Sequence, residues 1–191
     1  MKLNRLVQIA VFSIVALAIS VGVLFAQSDE AQAEIIRVDV AEDGSSFVFD
    51  PSLTFEDGMP AYGSSFVTNG YIYPEGTLNG SNGVLEDGSP EFPDLVLGEW
   101  TCFGSFVGDG MYTESGAMVI TNQVFSFYGD DGQSTIVSTG FELADIDVAV
   151  DRAITGGTGL YNGFSGTQTQ SLLGFTDYMG VNLRVELAHS N

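Results

Sequence analysis

The chain has 191 residues, 25 acidic side chains against five basic ones, a formal charge of −20, 45% hydrophobic residues, and a single cysteine and histidine. A field of that sign repels phosphate backbones and anionic lipids, which argues against a nucleic-acid partner and against membrane adsorption of the mature domain. One histidine and one cysteine cannot assemble a metal cluster, a Ser/His/Asp set or an internal disulfide, so no metal, no cofactor and no hydrolase of those types is expected.

Lys2 and Arg5 precede an apolar run from Leu6 to Ala26 that holds no acidic residue, the layout of an export signal. Residues 1–26 are expected to be a signal peptide, with cleavage after Ala26 or, at the small-x-small pattern Ala31-Gln32-Ala33, as late as residue 33. The run approaches the ~20 residues that span a bilayer, so an uncleaved N-terminal anchor is the alternative to a secreted, extracellular or periplasmic protein. Residues 27–34 are polar and read as a flexible lead, and 35–191 suit one domain with its own core. Without the signal segment, Arg37, Arg152 and Arg184 face all 25 acidic residues, a formal −22, and no lysine remains.

Apolar and β-branched runs then recur between glycine-rich breaks, with no long segment at helical spacing. Strands are expected at Ile35–Val40, Ser46–Phe49, Ser64–Tyr73, Leu95–Val107, Ala117–Phe127, Ser134–Leu143, Val148–Thr155, Leu160–Leu173 and Val181–Leu187. Asp-Gly pairs at 43–44, 57–58, 87–88, 109–110 and 131–132 tolerate the positive φ of tight turns, so hairpins and an antiparallel meander follow; no EF-hand calcium spacing is present. In the last strand Val181, Leu183, Val185 and Leu187 share one face, and Asn182, Arg184 and Glu186 the other. Ala117–Phe127 carries Met118, Ile120 and Val124 on one side and Val119, Phe125 and Phe127 on the other, as in a barrel wall lined inside and covered outside. The expected fold is all-β, an antiparallel closed barrel of about eight strands, wide enough for side chains or one small ligand.

The stretch Arg152-Ala153-Ile154-Thr155-Gly156-Gly157-Thr158-Gly159-Leu160-Tyr161-Asn162-Gly163-Phe164 is followed by the β-prone run Thr167–Leu173 and not by a helix, so its glycines read as a strand-to-strand connection and not as a phosphate cradle. This hairpin resembles that of dirigent proteins and allene oxide cyclases. Tyr73-Pro74-Glu75-Gly76-Thr77-Leu78, Gly98-Glu99-Trp100-Thr101-Cys102-Phe103-Gly104, Thr121–Phe127 and Gly180-Val181-Asn182-Leu183 also look like bacterial exported relatives of that superfamily, over about Phe66 to Leu187. The resemblance implies an eight-stranded barrel that binds a small apolar molecule and guides its cyclisation or coupling, which for an enzyme means isomerase- or cyclase-like chemistry. The alternative is a non-catalytic secreted structural or surface protein whose barrel is filled with side chains. Where dirigent proteins usually carry an arginine after the hairpin, this chain reads Phe164-Ser165-Gly166, which removes a group able to stabilise developing negative charge.

Four charged residues are candidates for a catalytic role: Glu99 at the start of the Trp100 strand, Arg152 before the hairpin, and Arg184 and Glu186 on the last strand. Structural pairing competes with that role, since Asp147, Asp151 and Glu186 lie near the arginines in sequence. Placing Arg184 and Glu186 in the lumen also requires Val181, Leu183, Val185 and Leu187 to face outward. Trp100, Phe125, Phe127 and Tyr161 are candidate ligand-binding aromatics, against the plainer reading that they fill the core. Cys102, on an apolar strand, reads as a small buried hydrophobe. The oligomeric state is not encoded in any of these features.

Overall fold

The structure is a computed structural model that describes residues 34–129 and 133–190. The expected signal peptide, nearly all of the lead and the Asp131-Gly132 turn lie outside the described residues. The strands are β1 Ile35–Glu42, β2 Val48–Phe49, β3 Ser65–Pro74, β4 Gly98–Phe106, β5 Ala117–Phe127, β6 Ser134–Leu143, β7 Ala149–Gly157, β8 Gly166–Phe175 and β9 Val181–His189. All pair antiparallel in the order β1-β9-β8-β7-β6-β5-β4-β3-β2, and β1 also pairs with β3. β1 and β3–β9 therefore close an eight-stranded barrel, with β2 as an extra short strand beside β3. The all-β antiparallel barrel expected from the sequence is the fold observed.

Three expected strands are shortened by local bonding, the one expected from Leu95 starting at Gly98 because Pro93–Leu95 forms a 3₁₀ turn. The segment at Ser46–Phe49 keeps only Val48–Phe49 as strand, because Gly44–Ser46 forms a 3₁₀ turn capped by the Asp43 carboxylate, which accepts the Ser45 N–H at 3.0 Å. The strand expected from Leu160 starts at Gly166, because Gly159–Tyr161 is likewise a 3₁₀ turn. That turn joins antiparallel β7 and β8, as the glycine run led one to expect, with Gly159 at φ +62°. A Cβ there would sit 2.4 Å from Ser134 Oγ. Gly159→Val should therefore cost on the order of 1–3 kcal/mol through backbone strain and crowding; a urea midpoint equal to wild type would show that the turn does not need its glycine.

The inward faces pack Val38, Val40, Ile72, Trp100, Phe125, Ile136, Leu172, Leu183, Val185 and Leu187 into the main core. β9 thus turns its alternating aliphatic face inward as period two dictates, and Arg184 and Glu186 lie on the outer wall. In β5 the inward set is Val119, Thr121, Gln123, Phe125 and Phe127, while Ile120 is 44% exposed, so the outside of this strand is less covered than its sequence suggests. Met118 escapes strict alternation because the register shifts between Ala117 and Val119.

Outside β1 and β3, the 75–97 connection builds a second small core on Ala41, Tyr73, Leu78 and Val84. Buried Asp39 anchors it, accepting the Gly76 and Leu78 N–H groups at 2.8 and 2.9 Å and the Arg184 guanidinium at 2.9 Å. Arg184 stands directly opposite Asp39, and Arg37 opposite Glu186, in the β1–β9 register. Strand pairing, not proximity in sequence, chooses these ion pairs.

Candidate functional site

The two ends of the barrel differ. At one end the turn Gly159–Tyr161 and the residues after it plug the lumen: Tyr161 packs edge-on against Phe127 and Phe164, at 5.4 and 5.6 Å between ring centroids, and Phe164 stacks on His189 at 4.6 Å. At the other end, where β1, β4, β6 and β8 finish and β3, β5 and β9 begin, a cavity of about 340 Å³ opens between the inward faces and the connecting loops. Its walls are largely apolar. Phe47, Phe66 and Phe106 form one side, with Phe47 and Phe66 stacked at 5.2 Å. Met59, Met111, Met118 and Met179 complete it, so every methionine of the chain beyond Met1 lines this one space.

Three of those methionines, Met59, Met111 and Met179, sit on loops that are fixed by close backbone contacts. Met111 N–H donates to Pro60 O at 2.9 Å, tying the loop after β4 to the hairpin around Asp57-Gly58. Gly44 lies against the Tyr178 carbonyl, where a Cβ would approach to 2.1 Å, so the turn after β1 and the β8–β9 connection close together on the rim. A glycine is required at that contact because no side chain fits.

Two carboxylates face this apolar space, Glu42 from β1 and Glu142 from β6. Glu142 is compensated. Its Oε1 lies 3.5 Å from Arg152 Nη1, the Thr121 hydroxyl donates to it, and Gln170 Nε2 donates to Oε2 at 3.3 Å. The Arg152 side chain is fully buried; it also donates to the carbonyls of Gly140, Phe141 and Thr121 and to Thr121 Oγ1 at 2.9 Å. Burial pulls the guanidinium below its usual pKa, and the Glu142 charge works against that shift. Below the pair, Gln170, Gln168 and Gln123 continue a chain of buried amides into the filled half of the lumen.

Glu42 has no such partner. One of its oxygens accepts the Val181 N–H at 2.8 Å, and among the described residues it forms no ion pair. Burial pushes its carboxyl up to about 7; the Thr68 hydroxyl and the Val181 N–H pull down, and the charges of Glu142 and Asp43 push further up. Cys102 lines the same wall with its thiol raised well above the ordinary range, first by burial and then by the two glutamates. A raised thiol is a poor nucleophile. Trp100 also faces the cavity, and its buried indole N–H has no hydrogen-bond partner among the described residues.

The sequence candidates fall in three places. Arg152 is in the lumen behind Glu142, and Trp100 lines the cavity. Phe125 lies in the filled part of the core, and Phe127 and Tyr161 belong to the plugged end, away from the cavity. Glu99, Arg184 and Glu186 are outside the barrel: Glu99 accepts from the Tyr128 hydroxyl at 3.0 Å, and the other two are bound to Asp39 and Arg37. Among the described residues, neither Asp147 nor Asp151 pairs with an arginine. Glu42, Glu142, Thr68 and the four methionines are cavity residues that the sequence did not single out. A signal for Glu42 was present, since it continues the Ile36, Val38, Val40 face in phase, a carboxylate at the end of a core-facing row.

No family model matches the chain, and no curated protein matches it. Among solved structures, it is similar to two pterocarpan synthase dirigent proteins. One is 13% identical, with a TM-score of 0.56 over 84% of this chain and 86% of the other. The second is 15% identical, with a TM-score of 0.58 over 85% of this chain and 99% of the other. At such identities the likeness is one of backbone architecture, and activity does not follow from it. The chain thus shares the antiparallel β-barrel fold of these dirigent proteins.

Proposed function

We propose that the barrel takes a small apolar molecule into its open end and holds it in one conformation for cyclisation or coupling. The observation that carries this reading is the cavity: about 340 Å³ of mostly apolar wall around a buried carboxyl, at one end of an otherwise filled lumen. Enclosed, mostly apolar sites with few polar groups suit small ligands. A carboxyl with a pKa near neutrality can give a proton to a ligand oxygen and take one back, as general acid–base work requires. The fold likeness to dirigent proteins supports the same direction, and the filled half of the barrel serves as the rigid floor.

A thermal-shift screen at fixed salt with terpenoid, phenolic and fatty-acid-derived compounds tests it. A ligand at about 100 times its dissociation constant should add about 3 kcal/mol to folding and raise the Tm in a concentration-dependent way. If no compound does so, and Trp100 fluorescence responds to none of them, the small-molecule reading gives way to a structural role.

A further inference from the structure

Every arginine among the described residues is already held by a carboxylate other than Glu42. Arg37 is held by Glu186 on the outer wall, Arg184 by Asp39, and Arg152 by Glu142. No lysine follows Lys2, and His189 is at the plugged end, bonded to Ser165 and stacked on Phe164. Glu42 is 5% exposed, lines the cavity, and finds no cation among the described residues. A buried carboxylate is strongly disfavoured unless a counter-charge comes with it.

We propose, building on the binding reading above, that the cavity is a site for an apolar amine, whose ammonium group supplies the counter-ion that Glu42 lacks. The surroundings fit a hydrophobic cation. Phe47, Phe66, Phe106 and Trp100 present aromatic rings to the space, and such faces attract ammonium groups. The methionine side chains are flexible and polarizable and adapt to an irregular apolar body. The excess of carboxylates on the chain steers cations toward the mouth and anions away. Glu142 does not compete for the ammonium, because Arg152 and Thr121 already hold its charge.

An isosteric trio tests the proposal: 4-phenylbutylamine, 4-phenylbutanol and 4-phenylbutyric acid, titrated calorimetrically at pH 8.5 and 0.15 M salt. The amine should bind at least tenfold more tightly than the alcohol, and the acid more weakly than either. In Glu42→Gln the preference for the amine should disappear while the alcohol still binds, which also shows that the variant is folded. In Glu99→Gln, which removes an equal charge from the outer wall, the preference should persist. Equal affinity for amine and alcohol in the wild type, or a preference that survives Glu42→Gln, overturns the amine assignment and leaves small-molecule binding standing. Binding of none of the three, together with a failed ligand screen, removes both.

Discussion

Arg152→Met should destabilise the barrel by about 3–5 kcal/mol, the usual consequence of leaving one member of a buried ion pair without its partner. The geometry gives the reason. The Arg152 side chain is wholly buried, its Nη1 is 3.5 Å from Glu142, and its four other hydrogen bonds close the carbonyls of Gly140, Phe141 and Thr121 and the Thr121 hydroxyl. Methionine fills much of the volume and satisfies none of these groups. The double variant Arg152→Met with Glu142→Gln should recover a large part of the loss, because a neutral amide can still accept from Thr121 and donate to a freed carbonyl. Urea unfolding of the wild type, both single variants and the double variant gives the coupling between the two sites directly. A single Arg152→Met variant within 1 kcal/mol of wild type would show that the ion pair contributes little and that Glu142 takes up a proton instead.

What the sequence made legible were features repeated along one strand. The alternation in Val181–Leu187 assigned the inner face of β9, and the glycine run placed the β7–β8 turn with a positive φ at Gly159. Features set by strand register and by loop packing were hidden. Arg152 has Asp151 beside it and Asp147 close by, yet its carboxylate is Glu142 on the neighbouring strand β6. Met59, Met111 and Met179 sit in loops that no periodicity describes, and they meet only because the Pro60–Met111 and Gly44–Tyr178 backbone contacts draw those loops over one rim. The aromatics were visible as a class but not by depth. Trp100 reaches the cavity wall, whereas Tyr161, at the far end of its strand pair, became part of the plug. Strand parity assigns a side chain to inside or outside, and position along the barrel axis depends on register and shear that a single sequence does not reveal.

Stability should fall as pH rises through the window set by Glu42, and Glu42→Gln should abolish that part of the fall. The direction follows from linkage. In the unfolded chain this carboxyl titrates near its ordinary value of 4.5, whereas in the folded barrel burial holds it at about 7. Between those values the folded state binds more protons than the unfolded state, so each step up in pH favours unfolding; the loss accumulates from about 4.5 to about 7 and is complete above it. A separation of this size corresponds to about 3 kcal/mol at full extent. Other carboxylates repel one another at high pH as well, so the informative quantity is the difference between the variants. Urea midpoints at pH 5 and pH 8 should show wild type losing about 2–4 kcal/mol more than Glu42→Gln across the interval, with the glutamine variant the more stable of the two at pH 8. The same slopes in both proteins would mean that Glu42 is ionised in the folded barrel at ordinary carboxylate pH, and its role as a proton donor in the cavity would fall with that result. Adding 4-phenylbutylamine separates the two uses of this residue: an ammonium bound beside Glu42 favours the ionised form, so it should flatten the wild-type slope and leave that of Glu42→Gln unchanged.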